Sequence, residues 1–521
     1  MLTTLRKSLC AAVAPAALCM AALAATAPQV QAQDARGTIR AYDPGPTYDR
    51  RIFTQFAEHL GTGIYGGLYV GTDSPIPNTN GFRNDVIGAL RELRVPVVRW
   101  PGGCFADEYH WREGIGANRP VKINTHWGGV TEPNAVGTHE FFELIDQLDA
   151  EAYISGNVGS GTPREMAEWV EYITSPAGSL AEERAANGRA EPWALPYFGL
   201  GNELWGCGGN MRAEYAADET RRYATFVKAP AGTQIIKIAS GASDDDVEFT
   251  RTMMQQTVRQ VDALSLHHYT VPGGWPPSRS ATQFGEDQWA ETLAGAYEID
   301  QILASHIAVM DQYDPDNRVW LALDEWGAWY APEPGTNPGF LQQQNSLRDA
   351  LLAAIHLNVF AKHADRVKMT AIAQMVNVLQ AMVLTDGDQM VRTPTFHVFE
   401  MYVPFQDGTV LPLDLATPDY TFGEHAMPAI SASAVRGRDG KTYVALSNVD
   451  PDTAIPVALT LDGMTARQVS GRVLTGAAIN SHNTVARPDA VVPVAFTGAR
   501  IADSRLNVTM PARSVVVLQL D

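Results

Sequence analysis

The sequence predicts an α/β fold, a (β/α)₈ barrel, followed by an all-β C-terminal domain. Between residues 50 and 400, short apolar runs alternate with longer helical patterns, which is typical of parallel sheets built from βα units. Several of these runs are apolar throughout, as expected for strands covered on both faces. After residue 405 the helical periodicity gives way to β-rich runs separated by turn signals. A doubly wound open sheet is the alternative for the first region.

The first region contains eight candidate strands, each followed by a helical pattern or a long loop. The strands are predicted at Ile52–Phe56, Pro96–Arg99, Ala152–Ser155, Tyr197–Leu200, Ile235–Ala239, Ala263–Leu266, Val319–Leu323 and Met369–Ala373. The helices are predicted at Asn84–Leu93, Thr138–Leu148, Pro163–Ile173, Ala213–Val227, Asp246–Val258, Gly295–Tyr313 and Gln342–Ala361. A barrel usually needs only about 250 residues, so we place the surplus in loops such as 101–137 and 268–292.

The C-terminal region predicts an antiparallel sandwich or jelly roll. Its strand candidates are Ala432–Val435, Thr442–Asn448, Ile455–Leu461, Ala466–Leu474, Ala490–Ala495, Arg505–Met510 and Ser514–Leu520. We therefore predict a catalytic domain at 49–404 and a β-sandwich domain at 405–521. The segment 33–48 is expected to add an edge strand to the sandwich.

The first 32 residues have the layout of a secretory signal peptide. Arg6 and Lys7 precede an apolar stretch from Leu9 to Ala25, and small residues follow. The stretch is shorter than the roughly 20 residues of a membrane span, although an uncleaved anchor is the alternative. The sequence thus predicts a signal peptide at 1–32 and export to the periplasm or the medium.

Charge and cysteine content exclude several kinds of partner. The formal charge of -19 and the pI near 5.0 argue against nucleic acid, and beyond residue 32 no apolar run suggests a membrane span. Only Cys104 and Cys207 lie beyond residue 32, which is too few for a disulfide framework or a four-thiolate metal site. One disulfide and two free thiols are both open. The histidines lack metal-ligand spacing, so we expect no metal and no cofactor.

Two glutamates follow predicted strands four and seven. The stretch YFGLGNELW at 197–205 places Glu203 just after strand four, and Glu325 in LALDEW at 321–326 follows strand seven. Because catalytic groups of such barrels stand at the carboxyl ends of the strands, the two side chains can converge. Paired carboxylates suit glycoside hydrolysis, in which one donates a proton and the other attacks the anomeric carbon. A non-catalytic sugar-binding protein is the alternative.

Longer motifs resemble those of the α-L-arabinofuranosidases of glycoside hydrolase family 51. They are FAEHLG at 56–61, RWPGGCFADEYHW at 99–111, GNELWGCGGNM at 201–211, LSLHHYT at 264–270, LDEWGAWY at 323–330 and MVNVLQAM at 375–382. The resemblance implies the same barrel and jelly roll, a retaining exo-acting enzyme on arabinofuranosyl glycans, and a homo-oligomer, often a hexamer. It implies Glu203 as general acid/base and Glu325 as nucleophile. A β-xylosidase or an endoglucanase of the same clan is the alternative activity.

Further residues are expected to bind the sugar. Glu58 and Gln380 resemble family residues that reach the sugar, and Asn202 would bind its 2-hydroxyl. Tyr269 could orient the nucleophile, while His268 is as readily a structural donor as a ligand. A surface ion pair for Glu58 and a turn role for Asn202 are the alternatives.

Three more side chains border the predicted pocket. Arg99 could hold Glu325 ionised by charge pairing, or could be purely structural. Cys104 would contact the bound sugar sterically, unless it is an inert buried thiol. Trp127 could stack on the leaving-group side or simply anchor its loop.

Overall fold

The structure is a computed structural model that describes residues 34–230 and 232–521. The predicted signal peptide at 1–32 lies outside the described residues. Within the described part of the chain, no helix has both the length and the apolar character needed to cross a membrane.

Eight parallel strands close into a barrel in which each strand pairs with its neighbours in chain order. They are β1 (Thr54–Phe56), β2 (Val97–Trp100), β3 (Glu151–Gly156), β4 (Tyr197–Leu200), β5 (Ile236–Ser243), β6 (Ala263–Thr270), β7 (Trp320–Ala328) and β8 (Val367–Ile372). The closed parallel barrel confirms the predicted fold class and excludes an open doubly wound sheet.

Nine helices of the described residues accompany the barrel. They are α1 (Asn84–Glu92), α2 (Thr138–Leu148), α3 (Pro163–Thr174), α4 (Ser179–Ala186), α5 (Ala213–Phe226), α6 (Val247–Thr257), α7 (Glu286–Tyr313), α8 (Leu347–Lys362) and α9 (Pro394–Tyr402). Helix α8 starts five residues later than the pattern suggested, because Ser346 and Asp349 form a capping box at its start that satisfies otherwise unpaired backbone N–H groups.

The all-β region consists mainly of two sheets, as predicted. The five-stranded sheet contains Leu413–Ala416, Ala35–Arg40, Ile455–Asp462, Arg505–Met510 and Ala499–Ala502. The seven-stranded sheet contains Thr47–Tyr48, Gly408–Val410, Ile430–Arg436, Thr442–Asn448, Ser514–Leu520, Val469–Leu474 and Val494–Ala495. Small two-stranded hairpins lie at Val383–Arg392 and at Asp419–Pro428.

Apolar side chains fill the barrel from its amino-terminal end. This cluster is formed by Val97, Tyr153, Tyr197, Ile238, Ala263, Ala322 and Met369. Inward-pointing residues of a barrel are stacked in layers. The layer at the amino-terminal end is filled by apolar side chains, so polar side chains that point inward lie in the layers nearer the carboxyl ends of the strands. The candidate site lies there.

Candidate active site

Glu203 stands just after β4 in a strained turn. Gly201 has a φ of 81° and Glu203 itself has a φ of 44°, a left-handed conformation that is uncommon for residues other than glycine. The turn is closed by the N–H groups of Gly206 and Gly208, which both donate to the carbonyl oxygen of Glu203. Such strain costs roughly 1–3 kcal/mol and clusters at functional positions.

Glu325 lies within β7 and is held by two donors. Arg99 Nη1 donates to Glu325 Oε1 at 2.8 Å, and the Tyr269 hydroxyl donates to Glu325 Oε2 at 2.7 Å. Hydrogen bonds of this kind favour the ionised carboxylate. The structure therefore gives Glu325 the surroundings of an anion.

The two glutamates approach each other closely. One oxygen of Glu203, one oxygen of Glu325 and one ring nitrogen of His267 all lie within 4.8 Å of one another. The side chain of Glu203 is 17% exposed and that of Glu325 is 7% exposed, so Glu203 lies nearer the opening. Burial raises the pKa of Glu203 and the neighbouring Glu325 raises it further, while the hydrogen bond from His267 opposes this rise.

His267 joins three carboxylates. Its Nδ1 lies 2.8 Å from Glu203 Oε1 and 3.6 Å from Glu325 Oε2, and its Nε2 lies 3.2 Å from Asp324 Oδ1. Burial alone would lower the pKa of His267, but these carboxylates raise it to about 10. Although burial raises the pKa of Asp324, Arg99 and His267 lower it to about 2. The three carboxylates therefore favour the imidazolium, whose Nδ1 donates to Glu203 Oε1 and whose Nε2 forms an ion pair with Asp324 Oδ1.

The structure contradicts the prediction that His268 binds substrate. Successive side chains of a strand point to opposite faces, so His267 and Tyr269 face the barrel interior and His268 faces the helices. There, His268 Nδ1 lies 2.8 Å from Asp244 Oδ1 and its ring is 6.3 Å from that of His356. The inward position of Tyr269 already implied this alternation, and sequence reasoning overlooked His267.

Glu58 follows β1 and lies close enough to Glu325 for their charges to interact. Its Oε1 accepts hydrogen bonds from Phe105 N at 3.0 Å and from Trp127 Nε1 at 2.9 Å, and its Oε2 accepts from Gln374 Nε2 at 2.9 Å. Burial and the nearby Glu325 raise the pKa of Glu58 to about 7, although the three hydrogen bonds oppose the rise. Trp127 thus holds Glu58 through its indole nitrogen while its ring stays partly exposed.

The structure also contradicts the prediction that Gln380 reaches the sugar. Gln380 is fully buried; its Oε1 accepts from Ala328 N, and its Nε2 donates to Asp349 O and Thr395 Oγ1. Gln374, which directly follows the apolar run of β8, occupies the pocket instead. Its Oε1 is buried and has no hydrogen-bond partner within the described chain. The position directly after the strand was the available signal for Gln374.

Asp107 fixes the turn that carries Asn202. Its Oδ2 accepts a hydrogen bond from Asn202 N, and its Oδ1 accepts from Val158 N and Gly159 N, all three at 2.7 Å. The Asn202 side chain in turn accepts a 2.6 Å hydrogen bond from Arg99 Nη2, and its amide nitrogen donates to Cys207 Sγ over a long 3.8 Å. No feature of the segment around Asp107 distinguished this residue in the sequence.

Cys104 and Cys207 form a disulfide, which decides between the two open alternatives for these thiols. The bond connects the loop after β2 to the turn after β4. Cys207 Sγ lies 3.4 Å from Glu203 Oε2, so the disulfide packs against the acidic side chain.

A (β/α)₈ barrel with two close, differently solvated carboxylates defines the molecule as a glycoside hydrolase. Comparison with known proteins agrees. The family model described as "Alpha-L-arabinofuranosidase 1 domain" matches residues 89–288, and "Alpha-L-arabinofuranosidase C-terminal domain" matches residues 324–514. An "Intracellular exo-alpha-L-arabinofuranosidase" of Bacteroides ovatus is 48% identical over 93% of this chain and 95% of its own.

Solved structures point to the same family. The GH51 arabinofuranosidase of Xanthomonas axonopodis pv. citri is 57% identical, with a TM-score of 0.93 over 94% of this chain and 100% of its own. The α-L-arabinofuranosidase of Thermotoga maritima, in an arabinose complex, is 28% identical, with a TM-score of 0.82 over 93% of this chain and 99% of its own. The chain belongs to the α-L-arabinofuranosidases of glycoside hydrolase family 51, and the β-xylosidase and endoglucanase alternatives are not favoured.

The prediction of an exported protein is wrong. The Bacteroides ovatus relative is named intracellular, and its similarity extends over nearly the whole chain. The prediction rested only on the composition of residues 1–32, which lie outside the described residues. A short apolar N-terminal stretch was an insufficient signal.

Proposed function

We propose that the chain is a retaining, exo-acting α-L-arabinofuranosidase in which Glu325 is the nucleophile and Glu203 the general acid/base. The observation that carries the proposal is the approach of the two carboxylates, with one oxygen of each within 4.8 Å. Retaining enzymes keep their carboxyl groups about 5–5.5 Å apart, whereas inverting enzymes need about 6.5–9.5 Å to admit a water molecule.

The surroundings of the two acids support different roles. Arg99 and Tyr269 donate to Glu325 at 2.8 and 2.7 Å, which favours the anion that a nucleophile must be. Burial and the negative charge of Glu325 raise the pKa of Glu203, which favours the proton that a general acid must hold. Pairs of acids whose surroundings separate their pKa values are typical of this division of labour.

The first step forms a glycosyl ester. A Glu325 oxygen attacks the anomeric carbon while the bond from this carbon to the leaving oxygen breaks. Glu203 transfers its proton to the leaving oxygen, so that the remainder of the glycan departs as an alcohol. The imidazolium of His267, which contacts both acids, stabilises the negative charge left on Glu203.

The second step hydrolyses the ester. Glu203, now ionised, takes a proton from a water molecule, and the water oxygen attacks the anomeric carbon. The bond to Glu325 breaks, arabinose leaves with its configuration retained, and Glu203 is again protonated. Tyr269 and Arg99 stabilise the carboxylate that Glu325 recovers.

The remaining pocket residues fit a small, polyhydroxylated sugar. Glu58 and Gln374 present fixed polar atoms on one side. The amide of Asn202, whose contact with Cys207 Sγ is a long 3.8 Å, lies on the other side and suits the 2-hydroxyl. Cys104 and the ring of Trp127 contribute walls, and the indole nitrogen of Trp127 holds Glu58. Buried polar groups left unmatched by the wrong sugar penalise its binding, so we propose that this set selects the arabinofuranosyl group.

A panel of aryl glycosides tests this function. We expect rapid hydrolysis of an aryl α-L-arabinofuranoside and little hydrolysis of the matching β-xylopyranoside or cellobioside. Glu325→Ala is the control, because loss of the nucleophile must abolish turnover in the same preparation. A wild-type protein that leaves the arabinofuranoside intact at every pH contradicts the proposal.

We also propose that the protein is a homo-oligomer, because the family resemblance implies one, often a hexamer. Light scattering coupled to size exclusion measures the mass directly, and a clean monomer refutes the proposal. The division into a catalytic domain at 49–404 and a sandwich at 405–521, with 33–48 added to the sandwich, stays a proposal. It is supported by the pairing of Ala35–Arg40 with Ile455–Asp462.

A further inference from the structure

Three aromatic rings lead from the nucleophile to the surface. The hydroxyl of Tyr269 donates to Glu325, and the Tyr269 ring lies 5.0 Å from that of Trp329. The Trp329 ring lies 4.9 Å from that of Trp275. Trp329 is half-buried, whereas Trp275 is 60% exposed. The row therefore connects the reacting centre with an open tryptophan beyond the pocket.

The loop that carries Trp275 is held in place by hydrogen bonds at several points. Gly274 N donates to Val271 O at 2.9 Å, which closes a turn just before the tryptophan. Gly273 N donates to Glu291 Oε1 on α7 at 2.9 Å. On the other side, Ala331 N donates to Arg279 O at 2.9 Å, which ties the loop to the segment after β7. The exposed ring is thus presented by a fixed support.

The rings of this row meet edge to face rather than in a stack. The interplanar angles are 82° between Tyr269 and Trp329 and 71° between Trp329 and Trp275. This arrangement leaves ring surface of Trp275 open to a ligand. A sugar ring carries a face of C–H groups that packs against such a surface, and tryptophan is strongly enriched among residues that dominate binding energy.

We propose that Trp275, supported by Trp329, is a binding subsite for a sugar residue of the leaving glycan chain. The proposal rests on the proposed function, because an exo-acting enzyme encloses only the terminal arabinofuranosyl group. Whatever extends from the pocket towards Trp275 is then the chain from which this group is cleaved. The ligand class is a branched oligosaccharide or polysaccharide, with either a xylan or an arabinan backbone.

The test compares substrates with and without a glycan leaving group. Trp275→Ala should lower kcat/KM about tenfold for arabinose-branched oligosaccharides, and leave kcat/KM for an aryl α-L-arabinofuranoside within about twofold. The kcat/KM of Trp275→Phe on the oligosaccharides should lie between those of the wild type and Trp275→Ala, because phenylalanine keeps a smaller aromatic ring. Xylan-derived and arabinan-derived oligosaccharides are measured separately, and the larger loss identifies the backbone.

Phe226→Ala is the matched control, since Phe226 is 56% exposed but ends α5, at the far end of the barrel. Equal losses on the aryl and oligosaccharide substrates would show a structural effect and overturn the proposal, as would no loss on any oligosaccharide. Binding of unbranched oligosaccharides, followed by tryptophan fluorescence, tests the subsite independently of activity. If the wild type does not cleave the aryl substrate, the proposed function is wrong. The subsite is still supported in that case if the wild type binds the unbranched oligosaccharide more tightly than Trp275→Ala does.

Discussion

Replacing His267 by glutamine removes the cation between the catalytic carboxylates. The pKa of His267 is raised from 6.5 to about 10, and each tenfold change in a proton equilibrium corresponds to about 1.36 kcal/mol. The carboxylates thus stabilise the imidazolium by about 5 kcal/mol net of burial. If half of this stabilisation acts on the transition state, His267→Gln lowers kcat/KM about 60-fold.

The same substitution alters stability in a predictable pH range. Because the folded-state pKa of His267 is raised, its contribution is fully present below pH 6.5 and is lost as the pH rises through about 10. The stability of the wild type should therefore decrease between pH 6.5 and about 10. The stability of His267→Gln should decrease less over the same range. The assay combines kcat/KM profiles on an aryl α-L-arabinofuranoside with thermal unfolding at each pH.

His268→Gln is the matched control for this experiment. It changes the next residue of β6, which contacts Asp244 at 2.8 Å instead of the catalytic pair. We expect a small change in kcat/KM and an unaltered pH profile. Equal kinetic losses for the two variants, or an unchanged profile for His267→Gln, would refute the assigned role of the imidazolium.

Three further predictions concern residues around the site. Gln374→Ala should lower kcat/KM about tenfold with little change in melting temperature, whereas Gln380→Ala should mainly lower the melting temperature; the reverse pattern would restore Gln380 to the pocket. Burial raises the pKa of Asp107 from 3.8 to about 7, against the effect of its backbone hydrogen bonds, so its contribution to stability is lost as the pH rises through about 7. Asp107→Asn should remove this decrease of the unfolding free energy with pH, which amounts to at most about 4 kcal/mol. An unchanged pH dependence of the unfolding free energy would contradict the raised pKa of Asp107. The disulfide closes a sequence separation of 103 residues, so joint replacement of Cys104 and Cys207 by serine should cost about 2–4 kcal/mol, measured by thermal inactivation; unchanged inactivation would contradict it.

The fold was predictable because its signals are local and repeated. Each barrel strand is a short apolar run, and the predicted strand at Tyr197–Leu200 has the same bounds in the structure. Element boundaries were less accurate where they depend on capping. Helix α7 begins at Glu286, nine residues before the predicted start at Gly295. Its first turns already bury Trp289, Ala290 and Leu293, and Gly295 lies inside the helix.

Side-chain direction explains the errors at the site. Glu203 follows β4 and Glu325 lies in the last half of β7, and the carboxyl ends of these strands converge in any such barrel, so their proximity could be predicted. Choosing His267 instead of His268 requires knowing which residues of β6 point into the barrel. Choosing Gln374 instead of Gln380 requires knowing the path of the chain after β8. Asp107 binds backbone N–H groups of two distant loops, a contact that no local pattern encodes.

The roles of the two glutamates are tested most directly by azide rescue of their alanine variants. With Glu203→Ala and an aryl substrate whose leaving group needs no proton, azide should attack the glycosyl ester and give a product of retained configuration. With Glu325→Ala no ester can form, so azide entering the vacated space should give the inverted product. A retained product from Glu325→Ala and an inverted product from Glu203→Ala would show that the nucleophile and the acid/base are exchanged.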